Sequence, residues 1–144
     1  MSGVLLVRDV MTRRVRTVGI NSSLMEAVRK MNKFNIGSVV VVDTDRDRLV
    51  GILTERDVLK SIESYSELSA IRVKQVMSQP LVTVDAQANI EEAARLMTKK
   101  SLKRLPVVEN SRLVGIITSS DIMRASPILV NTLTDILRSR VIRA

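Results

Sequence analysis

The sequence contains one internal duplication, which limits the possible folds more than any other feature. Shifting the chain by 66 residues aligns Val7–Asp43 with Val73–Glu109, and 12 of the 37 aligned positions are identical. A shift of 64 residues aligns Arg48–Lys60 with Arg112–Arg124, with 7 identities in 13 positions. The two shifts meet in a polar stretch after Asp43. A length difference there indicates a surface turn, because an insertion inside a strand would invert its faces. We therefore predict two copies of one structural unit.

Both copies predict the same order of elements, β-α-β-β-α. The first strand is short and rich in β-branched residues, and the helix after it starts at Ser23 in one copy and at Asn89 in the other. Two aliphatic strands follow and predict burial on both faces of a sheet. The second helix opens at Thr54 and at Thr118, whose hydroxyls can cap its first turn. The predicted strands are Val15–Val18, Ser38–Val42 and Leu49–Leu53, then Leu81–Val84, Leu105–Val108 and Leu113–Ile117.

The predicted fold class is therefore α/β, with tandem duplicated β-α-β-β-α units that each pack a small three-stranded sheet on two helices. We assign residues 7–62 to the first copy, 63–72 to a linker and 73–125 to the second copy. Residues 131–143 place Leu133, Ile136, Leu137 and Val141 on one stripe, which predicts an additional C-terminal helix.

Composition excludes several classes of protein. The 144 residues include no cysteine and no histidine, so thiol nucleophiles, disulfides and Cys/His zinc sites are excluded. The five glycines are too scattered for a phosphate-binding loop or a dinucleotide fingerprint. The chain has no apolar run of the ~20 residues that a membrane span needs, and its first residues do not resemble a signal peptide, so we expect a cytoplasmic protein. The formal charge of +8 makes polyanions in general possible partners.

The ordered set of motifs, occurring twice, resembles a tandem pair of CBS domains, often called a Bateman module. The resemblance covers about residues 7–125. The residues that carry it are the leading Val7, Val10 and Met11 with Val73, Val76 and Met77, the Thr-Val strands, the Glu-Ala helix starts, Pro106-Val-Val-Glu109, and Gly-Ile-(Leu/Ile)-Thr-x-x-Asp at Gly51 and Gly115.

The resemblance implies a regulatory module that binds an adenosine-containing ligand, such as AMP, ADP, ATP or S-adenosylmethionine, in clefts between the repeats. In that family the closing Asp accepts hydrogen bonds from the ribose hydroxyls, and the Thr and nearby basic residues face ribose or phosphate. A carboxylate suits a cis-diol, and a helix N-terminus suits a phosphate. The implied nucleotide-binding positions are Thr17, Ser38, Thr54, Arg56, Asp57, Thr83, Lys103, Arg104, Pro106, Thr118, Ser120 and Asp121.

Two interpretations of these positions stay open. A Thr followed three residues later by an acidic residue is also typical of ordinary helix capping. For Arg13, Arg14 and Arg16, a solvated surface and a contact with polyphosphate or a partner are both possible. The copies also differ, because the second has Lys103 and Arg104 where the first has Gly37-Ser38, and Ser120 where the first has Arg56. We therefore expect unequal sites, with the tighter one at Asp121, and we expect Asp121 at an exposed helix start.

Three functions from different classes remain. The leading hypothesis is a non-enzymatic regulatory module with no required cofactor, which passes ligand occupancy to a partner protein by a population shift. We also expect a homodimer with helices from both repeats at the interface. The alternative is a basic scaffold or nucleic-acid-binding protein with phosphate-dominated contacts, since only two aromatic residues are present for base stacking. An enzyme is least favoured, because the carboxylates repeat symmetrically and do not converge as an acid/base pair, and we predict neither catalytic residues nor a metal site.

Overall fold

The computed structural model of the chain describes residues 4–129, 133 and 134, which divide between two compact units. The middle unit is Arg16–Leu81, and the flanking unit combines Met1–Val15 with Val82–Ala144. In chain order, the helices and strands are α1 (Val7–Val10), β1 (Thr17–Gly19), α2 (Leu24–Phe34), β2 (Ser38–Asp43), β3 (Arg48–Thr54), α3 (Glu55–Ser64), α4 (Val73–Val76), β4 (Val84–Asp85), α5 (Ile90–Lys100), β5 (Arg104–Glu109), β6 (Arg112–Thr118) and α6 (Ser119–Ala125). Short 3₁₀ turns occur at Leu68–Ala70 and Pro127–Leu129.

Each unit contains a three-stranded mixed sheet, and the two sheets have the same topology. In the middle unit, β1 runs parallel to β2, and β2 pairs antiparallel with β3. In the flanking unit, β4, β5 and β6 repeat this order and these directions. The predicted α/β fold with a duplicated β-α-β-β-α unit is confirmed.

The hairpin turns explain why the repeat offset changes from 66 to 64. In the flanking unit, Asn110 and Ser111 connect β5 to β6, and both have positive φ angles, 52° and 65°. Positive φ at both central residues is the geometry of a two-residue hairpin whose twist matches its strands. The middle unit uses a longer turn between β2 and β3, which ends at Asp47 with φ of 49°. The length difference thus lies in a surface turn, as predicted.

The central strands are buried on both faces. Val39, Val40 and Val41 follow one another in β2 and are all at most 1% exposed. Since successive side chains of a strand point to opposite faces, both faces of the sheet are covered here. The middle core contains Val18, Leu24, Ala27, Met31, Val39, Val41, Leu53, Ile71 and Val73. The flanking core contains Val7, Val84, Ala86, Ile90, Ala93, Ala94, Met97, Leu105, Val107, Ile117, Ile122 and Leu133.

The segment that leads into each repeat packs in the unit formed by the other repeat. Residues 5–12, the first leading segment, belong to the flanking unit, where Val7 N donates to Ala88 O at 2.8 Å and Thr12 pairs with Ile116 of β6. Residues 71–78, the second leading segment, belong to the middle unit, where Ser78 pairs in the same way with Ile52 of β3. Each leading segment therefore covers the outer edge of a sheet, which would otherwise present unpaired backbone groups.

Some predicted boundaries differ from the structure. The first strand of each repeat lies at Thr17–Gly19 and Val84–Asp85, later than the predicted Val15–Val18 and Leu81–Val84. The length of a short strand depends on the partner beside it, and Val84 is the first residue of its repeat to pair with β5. The predicted C-terminal helix at 131–143 lies outside the described residues except for Leu133 and Thr134, of which Leu133 is fully buried.

No helix in the described part of the chain has the length and apolar character needed to cross a lipid bilayer.

Candidate functional site

The two Thr-x-x-Asp sequences form the same capping arrangement at the starts of α3 and α6. Thr54 N donates to Asp57 Oδ2 at 2.9 Å, and Asp57 N donates to Thr54 Oγ1 at 3.3 Å. Thr118 N donates to Asp121 Oδ2 at 2.9 Å, and Asp121 N donates to Thr118 Oγ1 at 3.1 Å. The capping interpretation is therefore correct for both copies. Because capping occupies Oδ2, it also fixes the orientation of each carboxylate and of its second oxygen.

The second carboxylate oxygen meets a different partner in each unit. Asp57 Oδ1 accepts a hydrogen bond from Ser78 Oγ at 2.9 Å, so the second leading segment contributes to this site. Asp121 Oδ1 accepts from Arg124 Nη2 at 2.5 Å. The Asp121 side chain is only 10% exposed, so the expectation of an exposed helix start is wrong, because the carboxylate turns back onto the Thr118 backbone and under Arg124.

In the middle unit, the predicted residues share the sheet face opposite the core. Val39, Val41 and Leu53 point into the core, so the residues that alternate with them lie on the other face. Ser38 is directly opposite Thr54 in the β2–β3 register. Thr17 lies beside Val40, which places it on the same face. The structure thus brings Thr17, Ser38, Thr54 and Asp57 to one side of the sheet, and adds Ser78.

The flanking unit repeats this arrangement with a more basic set of residues. Leu105, Val107 and Ile117 point into the core, which leaves Arg104, Pro106 and Thr118 on the opposite face.

Arg104 is directly opposite Thr118, and Pro106 is opposite Ile116. Lys103 O accepts from Ser119 N at 2.8 Å, so Lys103 lies beside the start of α6. Thr83 is half-buried and comes one residue before β4.

Arg56 and Ser120 occupy equivalent exposed positions in the first turns of α3 and α6. Among the described residues, the Arg56 side chain forms no hydrogen bond or ion pair. The two sites therefore differ in local charge. In the flanking unit, Lys103 and Arg104 lie beside the helix start, and Arg124 binds Asp121. In the middle unit, Arg56 lies in the first turn of α3.

Sequence reasoning missed two residues of these sites. Arg124 lies three residues after Asp121 on a helix, a spacing that brings side chains together and could have been noticed. Ser78 had no such signal, because its contact with Asp57 depends on which unit the second leading segment packs in.

Comparison with known proteins agrees with this architecture. The family model for the CBS domain matches residues 7–64 and 73–128. An uncharacterised protein of Methanopyrus kandleri is 37% identical over 131 residues, which are 90% of this chain and 66% of that protein. The crystal structure of a CBS domain protein of unknown function from Thermoplasma acidophilum has a TM-score of 0.83 and 28% identity, over 93% of this chain and 76% of that one.

A third similar structure was solved with ligands. It is a CBS domain pair in complex with 5′-methylthioadenosine and S-adenosyl-L-methionine, with a TM-score of 0.75 and 31% identity, over 85% of this chain and 95% of that one. The duplicated sheets, the paired helix starts and the double match of the family model lead to one assignment. The chain belongs to the CBS domain family, as a tandem pair of these domains.

Proposed function

We propose that this protein is a regulatory module that binds an adenosine-containing ligand, such as AMP, ADP, ATP or S-adenosylmethionine, and passes the occupancy to a partner protein. The observation that carries the proposal is the fixed carboxylate at each Thr-x-x-Asp helix start, in Asp57 and Asp121. The similar CBS pair that holds 5′-methylthioadenosine and S-adenosyl-L-methionine supports the choice of an adenosine ligand.

The carboxylate geometry suits a ribose diol. In Asp57, Oδ2 is held by the Thr54 backbone and Oδ1 accepts from Ser78. Oδ2 also accepts from Thr54 Oγ1 and lies 3.1 Å from Ser78 Oγ. Since each carboxylate oxygen offers about two acceptor positions, the remaining capacity for a ligand hydroxyl lies on Oδ1. The helix cap also orients the group before the ligand arrives, which reduces the entropy lost on binding.

The basic residues indicate that the two units prefer different ligands. Lys103 and Arg104 stand near the helix start that carries Asp121, and their charges suit a phosphorylated ligand such as AMP or ATP. Gly37 and Ser38 occupy the equivalent positions in the middle unit and carry no charge. We expect that unit to favour ligands with fewer phosphates, with Arg56 as its local base.

Signalling requires that the ligand bind one conformation better than another, since only differential affinity shifts a population. We propose that the protein signals by binding the ligand and does not convert it chemically. The carboxylates lie one per unit in equivalent positions, each committed to a helix cap, and this differs from the convergent acid/base pair of a hydrolase.

A thermal-shift screen tests the ligand class. The panel contains AMP, ADP, ATP, S-adenosylmethionine and guanine nucleotides, because a ligand that binds only the native state raises the melting temperature. At about 100 times its Kd, such a ligand stabilises the fold by about 2.7 kcal/mol. We expect AMP and S-adenosylmethionine to raise the melting temperature of the wild type much more than that of the double variant Asp57→Asn/Asp121→Asn. A flat response across the panel contradicts the proposal.

A homodimer is also part of the proposal. Leu59 and Ile62 are 67% and 54% exposed on α3, and beside them lies a groove of about 350 Å³ between α2 and α3 that includes Val28, Ile36 and Val58. Exposed apolar residues next to an apolar groove are typical of an interaction surface. A second copy is the favoured occupant, because the resemblance to CBS pairs implies assembly through helices.

A further inference from the structure

A strongly basic groove lies on α2 of the middle unit, outside the Thr-x-x-Asp site. It has a volume of about 430 Å³, and four of its six lining residues are cationic. The cations are Arg16, Arg29, Lys30 and Lys33, and the other two residues are Glu26 and Phe34. One carboxylate against four cations leaves a marked excess of positive charge in a space the size of a small-molecule site.

Three of the cations have contacts that hold them in position. The Arg16 guanidinium carbon lies 3.6 Å from the centre of the Phe34 ring, and Lys33 Nζ lies 5.4 Å from it, both within the range of a cation–π contact. Lys30 Nζ donates to Thr17 O at 2.7 Å. A backbone carbonyl and an aromatic ring fix these side chains without neutralising their charge. The charges are therefore organised before any anion binds.

The four cations have no acidic partner within residues 4–129, 133 and 134. The equivalent helix of the second repeat shows the contrast, because Arg95 there pairs with Glu91 at 2.6 Å. Arg29 is the equivalent of Arg95, but Met25 stands where Glu91 would be. The charge of Arg29 thus remains available.

The second repeat lacks the groove's distinctive residues. The positions equivalent to Arg16, Lys30 and Phe34 carry Val82, Leu96 and Lys100. Both repeats form the same fold, so the fold does not require this set of side chains.

We infer that this groove binds a compact anion with several closely spaced charges, namely a diphosphate or triphosphate group, either free or as part of a nucleotide. Guanidinium groups bind phosphate oxygens in a bidentate manner, and ammonium groups add charge. The limited volume and the fixed cations favour such a compact anion over a long nucleic-acid strand, which needs a groove that follows many nucleotides. The inference does not depend on the adenosine sites.

Calorimetry with inorganic triphosphate, in magnesium-free buffer of low ionic strength, tests the site directly. The double variant Arg29→Gln/Lys33→Gln removes two groove cations. The matched control Arg95→Gln/Lys99→Gln removes two cations from the equivalent positions of the second repeat. We expect the groove variant to weaken binding by about tenfold to a hundredfold, and the control to change it by less than about twofold.

A further variant tests whether binding depends on the fixed positions of the cations or only on their number. Phe34→Leu keeps all four cations but removes the ring that Arg16 and Lys33 contact, and we expect a smaller loss of a few-fold. Competition by ATP against inorganic triphosphate tests whether the groove also binds the triphosphate of a nucleotide. Adenosine is the negative control, because it has no phosphate and should not compete. Circular dichroism confirms that each variant is folded.

Several outcomes overturn the inference. Equal losses in the groove variant and its control indicate attraction by net charge. No measurable triphosphate binding, or tight binding of a single-stranded oligonucleotide that triphosphate does not displace, excludes the proposed ligand. Asp57→Asn/Asp121→Asn should leave triphosphate binding unchanged, so failure of the adenosine proposal can be distinguished from failure of this one.

Discussion

Asp57 and Asp121 each use one carboxyl group for two purposes. One oxygen closes the cap of a helix, and the other meets a polar side chain, Ser78 in one unit and Arg124 in the other. Replacing either residue by alanine would disturb the cap and the ligand contact together. Asparagine keeps an oxygen that can accept the cap hydrogen bond but removes the negative charge. Its effect on ligand binding can therefore be measured with little change in the stability of the helix.

Asp121→Asn should weaken binding of the best adenosine ligand at its tighter site by roughly 10- to 150-fold, the value expected for losing hydrogen bonds to a charged group. Asp57→Asn should cost less at that site, because Lys103 and Arg104 belong to the unit that carries Asp121. Isothermal titration calorimetry measures both. If folded Asp121→Asn binds like the wild type, Asp121 does not hold the ribose.

At the scale of elements, the sheets, the helix caps and the hairpin turns could be predicted, because each depends on residues close together in sequence. The packing of the leading segments could not. Val7 and Val73 begin the same motif, so each leading segment has the residues to pair with either sheet. The sequence contains no feature that determines which sheet each segment contacts. The hydrogen bond from Ser78 to Asp57 exists only because the second leading segment packs in the middle unit, and for that reason the sequence could not predict it.

Gly115 lies where the first leading segment crosses β6. A Cβ atom there would lie 2.9 Å from Thr12 O and 3.0 Å from Met11 Cγ, closer than normal van der Waals contact. Gly115→Ala should therefore destabilise the protein by about 1–3 kcal/mol, as expected for overpacking. Urea denaturation measures the loss. Gly19→Ala is the control, since its Cβ would meet only the Ser22 hydroxyl, at 3.3 Å, and an equal loss in both variants argues against crowding at the crossing.

At the scale of the whole molecule, the division into units does not follow the division into repeats. Val7 is fully buried in the core of the flanking unit, although in sequence it belongs to the first repeat. Val7→Ala should cost about 2 kcal/mol through lost burial and a small cavity. Hydrogen exchange should then show protection reduced by about thirtyfold in residues 82–129 and little changed in 16–81.

Val73→Ala provides the matched control, because Val73 is fully buried in the middle unit. It should reverse the pattern, with protection lost in residues 16–81. Loss of protection in the same unit for both variants would show that the leading segments do not stabilise separate units.

The proposed homodimer also belongs to this scale. Leu59→Glu/Ile62→Glu places two charges on the exposed apolar face of α3, and we expect it to convert the dimer into a monomer with little change in stability. Light scattering at micromolar concentration measures the mass. Lys60→Glu, between them on the same helix, is the control for added negative charge. A monomeric wild type contradicts the proposal.

The exchange of leading segments sets an order of completion during synthesis on the ribosome. The middle unit is continuous in the chain, so every residue of it has been made once Leu81 has been added. Residues 5–12 are made first, but they cannot pair with β6 until β6 has been synthesised, because Thr12 pairs with Ile116. Contacts between such distant residues form slowly. The flanking unit therefore cannot be completed until β6 and α6 have been made, whereas the middle unit needs no residue beyond Leu81.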